Sequence, residues 1–311
     1  MGSHASHSPC VAIVTDDPGW HGRELRQAFA ARGYDSVYIS LTECWIDLSD
    51  PRLVILPGFE REILPIGVFV RGVPGGTLEQ VIVRLDVLHG LRELGSLVYN
   101  DARTIERTVD KAMTSFLLKR AGIPTPATWI CESEQEARSI VIRELGRGKR
   151  MVMKPLFGSQ GIGVTLIETP AALPAPVDFG GVFYLQSFIE RPDLDWRDWR
   201  VFVIGGRAQA AMLRRNDYWI TNRAQGGRCE PVVLGQELAG LAEDAVRAVN
   251  MDYAGVDLLE DEEGRLVVTE INSIPAWLGL QGVCSFNIAE RLVDHFLSRI
   301  AASRALEKAV P

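Results

Sequence analysis

No two cysteines stand at the Cys-x-x-Cys spacing of a zinc site or a redox motif. The five, Cys10, Cys44, Cys131, Cys229 and Cys284, are scattered along 311 residues, a pattern that predicts reduced thiols and a cytoplasmic protein. No apolar run approaches the roughly 20 residues needed to span a bilayer, so no membrane partner is expected. There is no basic excess either: 33 Lys and Arg against 40 Asp and Glu leave a formal charge of −7. That balance excludes general attraction to nucleic acid or to an anionic membrane, and any anionic ligand must be held by a local cluster. Residues 1–9 lack the charged start and apolar middle of a signal peptide and read as the remnant of a tag.

What is present is a chain with 47% hydrophobic residues, enough to bury the cores of two or three lobes. Val11 to Val14, Val37 to Leu41 and Leu53 to Leu56 read as strands, with a helix over about 22–32 ended by Gly33, so the first hundred residues predict a small α/β lobe with a parallel sheet. Apolar residues recur at helical spacing from Thr77 to Leu94 (Leu78, Val81, Ile82, Leu85, Leu88, Leu91), and Gly95 stops that helix before the strand Leu97 to Tyr99. Asp110 is a fitting N-cap for a helix that starts at Lys111, with Met113, Phe116 and Leu117 as its apolar face. A helix over about 133–145 and strands at Met151 to Met153 and Val164 to Ile167 follow. In the last third, Arg200 to Val203, Arg207 to Leu213, Gly255 to Leu259 and Leu266 to Ile271 predict an antiparallel sheet, with a helix over about 236–249.

Three elements carry chemistry. Lys154 to Gly163 joins two strands, and Gly158, Gly161 and Gly163, with Ser159, would let backbone N–H groups approach an anion closely. It is neither a Walker loop nor a dinucleotide fingerprint, because a strand rather than a helix follows; a plain structural hairpin is its bland alternative. The second element is the hairpin Gly255 to Asn272. Pairing about Glu262 and Glu263 places Asp257 opposite Val268 and diagonal to Glu270, so that Asp257, Glu270 and Asn272 project from one face. Two carboxylates and an amide together suit a hard cation such as magnesium, the alternative being a solvated polar face. The third is a run of arginines, Arg200, Arg214, Arg215, Arg223 and Arg228, able to hold a carboxylate or an acyl phosphate bidentately, or else to form surface ion pairs.

The order of Lys111, Lys154-Pro155 with its glycine loop, Gln186-Ser187-Phe188-Ile189-Glu190, Asp198-Trp199-Arg200, Arg214-Arg215, Asn222, Asp257 and Glu270-Ile271-Asn272 resembles the ATP-grasp superfamily, specifically its RimK-type ligases. The resemblance runs from about Val70 to Leu297. It implies an ATP-grasp fold of the α/β (α+β) class in consecutive lobes: a Rossmann-like pre-ATP-grasp domain at 10–103, a central lobe at 104–186 and a C-terminal lobe with an antiparallel sheet at 187–305. It also implies that Lys111, Lys154 and the glycine loop meet nucleotide phosphates, and that Gln186, Ser187 and Phe188 form the adenine hinge. Asp198 would help place the nucleotide, and Asn222 would lie near the phosphates. Asp257, Glu270 and Asn272 would hold two magnesium ions, manganese being admissible. Arg71 and Arg214 would face the substrates, and Arg200 and Arg215 would take part in catalysis.

Two departures stand out: Ser187 where the hinge often has Glu, and Asn272-Ser273-Ile274-Pro275-Ala276 in place of an Asn-x-Ser-Pro-Gly ending. The segments Val70 to Thr77 and Ile274 to Gly282 look most like the branch that adds amino acids to tetrahydromethanopterin-type cofactors. The implied reaction joins a small acid acceptor to an amino acid, with glutamate as the family's donor, through an acyl phosphate. Trp277, Tyr218 and Trp219 could line a pocket for a larger amino acid or serve as core and nucleotide packing. A homo-oligomer is expected. The rival readings are a glutamate ligase acting on a protein or peptide, and a nucleotide-binding regulatory protein without turnover.

Overall fold

The computed structural model describes residues 9–59, 64–191 and 195–309; the supposed tag, apart from Pro9, lies outside them. In chain order the elements are β1 (Cys10–Val14), α1 (Gly19–Ala30), β2 (Asp35–Ile39), β3 (Trp45–Asp47), β4 (Leu53–Ile55), β5 (Val68–Val70), α2 (Leu78–Glu93), β6 (Val98–Tyr99), α3 (Ala102–Val109), α4 (Lys111–Arg120), β7 (Thr128–Cys131), α5 (Glu134–Gly146), β8 (Met151–Lys154) and β9 (Thr165–Ile167). Then come β10 (Phe183–Ser187), β11 (Trp196–Ile204), β12 (Arg207–Asn216), β13 (Arg228–Pro231), α6 (Gln236–Val249), β14 (Tyr253–Glu260), β15 (Leu266–Asn272), α7 (Leu278–Gln281) and α8 (Ile288–Ala309). Among the described residues no helix is long and apolar enough to cross a membrane.

By its contacts the chain forms two units: residues 1–105 with 251–253 and 274–311, and residues 106–250 with 254–273. The first holds a parallel sheet in the order β2-β1-β5-β6. Helix α2 opens on a capping box, in which Thr77 and Gln80 satisfy each other's backbone N–H groups, and buries Leu85, Val87, Leu88 and Leu91 against this sheet's core. The strand expected at Leu53 does form, but it pairs antiparallel with β3 in a sheet of two. The five residues between β3 and β4 are too few for the crossover that a parallel partner requires.

The second unit holds two antiparallel sheets, β7-β10-β8-β9 and β13-β12-β11-β14-β15. The first is backed by α5 through Ala137, Ile140 and Val141. Helix α4 starts where expected, since Asp110 accepts hydrogen bonds from the N–H groups of Ala112 and Met113. Its buried face is Thr114 and Leu118, one helical turn apart, while Met113 and Phe116 are exposed; the expected apolar face is corrected to this one. Lys111 at the helix start remains largely covered.

Candidate active site

The hairpin of β14 and β15 departs from the expected register by one residue beside the turn, where Leu259 faces Val267, and by a second residue at a bulge. Asp257 lies directly opposite Glu270, and Leu258 opposite Val268. A bulge at this point leaves Thr269 without an opposite residue, its hydroxyl donating to the Asp257 carbonyl at 3.2 Å. The one-residue shift at the turn and the extra residue of the bulge together turn the expected diagonal pair into a facing pair, so the two carboxylates are closer neighbours than the expected hairpin would make them. Asn272 pairs with Gly255 in register and donates to its carbonyl at 3.4 Å.

One cleft of the second unit is lined by Lys111, Lys154, Gly158, Ser159, Gly161, Gln186, Ser187, Phe188, Asp198, Arg214, Asn222, Asp257 and Glu270. Lys111 donates to the Gly158 carbonyl and stands 4.0 Å from Glu270, and Lys154 donates to Gln186 Oε1 at 2.7 Å. Burial pushes both ammonium groups below the ordinary lysine range, with Glu270 pulling each back up. Two partly desolvated cations facing one space make a site in want of an anion.

The glycine loop between β8 and β9 crosses this cleft. Gly161 sits at φ +73°, and a Cβ there would meet Ile220 Cγ2 at 2.7 Å and Asn222 Oδ1 at 2.9 Å. The opposing turn is as tight: a Cβ on Gly227 would fall 2.0 Å from the Thr221 carbonyl. Gly163 also has positive φ but stands outside the lining.

Asp257 also anchors a buried charge network. Arg200 grips both oxygens of Asp257; Arg214 grips both oxygens of Asp198 and reaches Asp257 at 3.0 Å. All four side chains are almost wholly shielded from water. Burial alone would raise the Asp257 carboxyl, but the two guanidinium groups outweigh it and hold it below the ordinary range. The same carboxylates keep Arg214 charged despite its burial.

Arg215 does not share that environment. Asp198 faces Arg214 across β11 and β12, and Arg197 faces Arg215; neighbours on a strand point to opposite faces. Arg215 is therefore turned to the other side of the sheet, paired with Asp195 and Glu230, and the expectation of two adjacent arginines at one site is corrected by strand alternation.

At the other end of the cleft Phe188 is flanked by Trp196 and Trp219 at ring separations of 5.8 and 5.5 Å, with the Arg150 guanidinium 4.8 Å from its ring. The N–H groups of Ser187 and Phe188 are already given to the carbonyls of Ala127 and Arg150, so they are not the ones that would read a base. The Ser187 hydroxyl is buried there without a hydrogen-bond partner. Apolar ring faces, an orphaned hydroxyl, two lysines and a side-chain-free loop fit a nucleoside triphosphate. Among the described residues no three His, Cys, Asp or Glu cluster as a metal site. Two facing carboxylates, with the Asn272 amide two residues beyond Glu270 on the same strand but outside the cleft lining, offer hard oxygens of the class magnesium takes.

Residues 108–296 match the RimK-like ATP-grasp domain. The chain is 32% identical over 295 residues to the tetrahydromethanopterin:alpha-L-glutamate ligase of Methanococcus maripaludis, covering 93% of this chain and 98% of the relative. The chain belongs to the RimK-like ATP-grasp family. The enzyme of the same name from Methanocaldococcus jannaschii is 35% identical over 225 residues, 70% of this chain and 75% of that one. Among solved structures, the ATP-grasp ligase PsnB with a phosphomimetic variant of its minimal precursor, Mg and ADP superposes with a TM-score of 0.73 at 19% identity, covering 94% of this chain and 99% of that one; this likeness is one of fold.

As an ATP-grasp ligase the chain forms carbon–nitrogen bonds, and its fold is one that binds ATP with a divalent metal. Arg71 lies in the other unit, where its guanidinium stacks 4.6 Å from the Trp277 ring and donates to the Pro275 carbonyl at 3.1 Å. Trp277 is fully buried in its own unit, while Tyr218 is exposed with its ring 5.6 Å from that of Trp219. Sequence reasoning passed over Thr269, Trp196 and Ile220, all in the cleft lining.

Proposed function

We propose that this chain uses ATP to join L-glutamate to a free carboxylate of a tetrahydromethanopterin-type pterin. The observation that carries the reading is similarity over nearly the full length of both chains to a ligase named for that acceptor and that donor. The cleft supports the phosphorylation half of the reaction, for it gathers Lys111, Lys154, Arg214, Asp257 and Glu270.

In this reading an oxygen of the acceptor carboxylate attacks the γ-phosphorus, the bond to the β-phosphate oxygen breaks, and ADP leaves. The glutamate amine then attacks the acyl carbon of the acyl phosphate; inorganic phosphate departs and the nitrogen loses a proton. Lys111 and Lys154 hold the phosphates through charge, and the glycine loop through its backbone N–H groups. Asn222 and Asp198 line the same space, Asp198 acting by fixing Arg214. Arg200 and Arg214 meet charge developing on the transferred group. Asp257, Glu270 and Asn272 would hold two ions of magnesium or manganese, which would neutralise phosphate charge as it shifts. Arg71, half-buried with an unbonded Nε, is assigned to the acceptor's carboxylate. Arg215 takes no part in the step.

The three consecutive lobes and a cytoplasmic location, in keeping with five free cysteines, belong to the same proposal. So does self-association, supported by the exposed apolar side chains of Trp45, Leu48, Leu78 and Ile82. The test is a mass-spectrometric search for products from ATP, magnesium, reduced pterin acids and the common amino acids. A pterin gaining one glutamyl residue, with one ADP released per bond, is the expected result. Glutamate transfer only to peptides, or no amide product with any pair, would overturn the acceptor assignment.

A further inference from the structure

The amide of Gln186 has two ends, and the choice between them decides what Lys154 experiences. An oxygen toward the ammonium accepts its proton; an NH2 group would repel it. Gln186 is 2% exposed and lies on β10 beside β8, with its oxygen 2.7 Å from Lys154 Nζ. Its nitrogen donates to Thr128 Oγ1 at 3.0 Å and to Tyr184 Oη at 3.3 Å.

Thr128 breaks the symmetry. Its hydroxyl has one hydrogen, which goes to the Pro126 carbonyl at 2.9 Å. Oγ1 can then only accept from Gln186, which compels the NH2 end to face it. Tyr184, 1% exposed, takes the second N–H, and its own hydroxyl is held 2.7 Å from Ser115 Oγ. The register supports this: Gln186 faces Thr128 on one side and Val152 on the other, and Lys154 faces Tyr184.

We infer that Thr128, seconded by Tyr184, is a positioning residue of the ligase: its hydroxyl fixes the Gln186 amide oxygen toward Lys154 and so keeps that lysine aimed and protonated for nucleotide phosphate. The inference rests on the reading of Lys154 as a phosphate ligand. Burial already pushes the Lys154 ammonium toward losing its proton, so loss of an accepting oxygen would push it further in the same direction.

The experiment is calorimetric titration with AMPPNP and magnesium across alkaline pH. Thr128→Val keeps the side-chain shape and frees the amide to turn. It should weaken binding by about tenfold near neutral pH, and the loss of affinity with rising pH should begin at a lower pH than in the parent. Thr128→Ser keeps the hydroxyl and should restore affinity to within about twofold and the parent pH profile. Should Thr128→Val fail to fold, Tyr184→Phe carries the same test. Parent affinity and pH profile in the variant that folds would overturn the inference. So would a weakening uniform in pH, which would mark a merely structural role. Lys154→Met separates the two levels: parent-like binding there would sink the phosphate reading itself, whereas weak binding there beside a parent-like Thr128→Val would sink only the Thr128 step.

Discussion

Asp257 and Glu270 face each other across β14 and β15, yet their surroundings are opposite. Asp257 is buried between two arginines, while Glu270 keeps a side chain 28% exposed with Lys111 at 4.0 Å. Glu270→Gln should therefore lower turnover by about 100-fold or more while leaving urea unfolding within about 0.5 kcal/mol of the parent. Asp257→Ala should lose activity and also cost about 3–5 kcal/mol, because it strands two buried guanidinium groups. Equal stability in the two variants would contradict this division.

Arg214 and Arg215 are neighbours in sequence that should respond differently. Arg214→Ala leaves Asp198 and Asp257 short of a buried partner, and a loss of about 3–5 kcal/mol is expected together with loss of turnover. Arg215, a third exposed, should cost under about 1 kcal/mol when changed to Ala, with nucleotide affinity almost unchanged. Calorimetry with AMPPNP and thermal melts on both variants make the comparison.

Gly161→Ala forces a side chain onto a left-handed backbone and into Ile220 and Asn222. An affinity for AMPPNP weaker by about tenfold is expected from the backbone strain alone. Because the loop is exposed, the melting temperature should hardly move. Parent-like affinity would show that the loop does not close on the phosphates in this way.

Asp252 supplies a pH test of the fold. Burial raises its carboxyl to about 6, against the pull of Arg299. A carboxyl that holds its proton more tightly when folded contributes stability that is present below pH 3.8 and is lost as pH rises to about 6. Two units correspond to at most about 3 kcal/mol. Asp252→Asn removes that loss, so its stability relative to the parent should rise between pH 4 and 6.5. Urea titrations at several pH values that show a constant difference would refute it.

Much of this was legible from pattern. The extent of α2 followed from the helical spacing of Leu78, Leu85, Leu88 and Leu91, the start of α4 from its cap Asp110, and α6 fell at the expected 236–249. Residues near one another in the cleft were recognisable because their chemistry is unusual together. What escaped were features of pairing. The bulge at Thr269 depends on how two strands settle against each other, and the opposed faces of Arg214 and Arg215 depend on the phase of β12. The partners of β7 and β10 are remote in sequence, so the Thr128–Gln186 link left no periodic trace. β4 was read as part of the parallel sheet because a short apolar run looks the same in either sheet direction, and β3 was not read at all.

Phe296 on α8 is fully buried, with ring contacts to Phe29, Phe69 and Tyr99, although those partners precede it by 197 to 267 residues. During synthesis the parallel sheet of the first unit can therefore hydrogen-bond early, but its aromatic face stays uncovered until α8 has emerged. The second unit, nearly continuous in sequence, can close sooner. The part of the protein that is made first is thus the part finished last, its aromatic face covered only when α8 packs onto it.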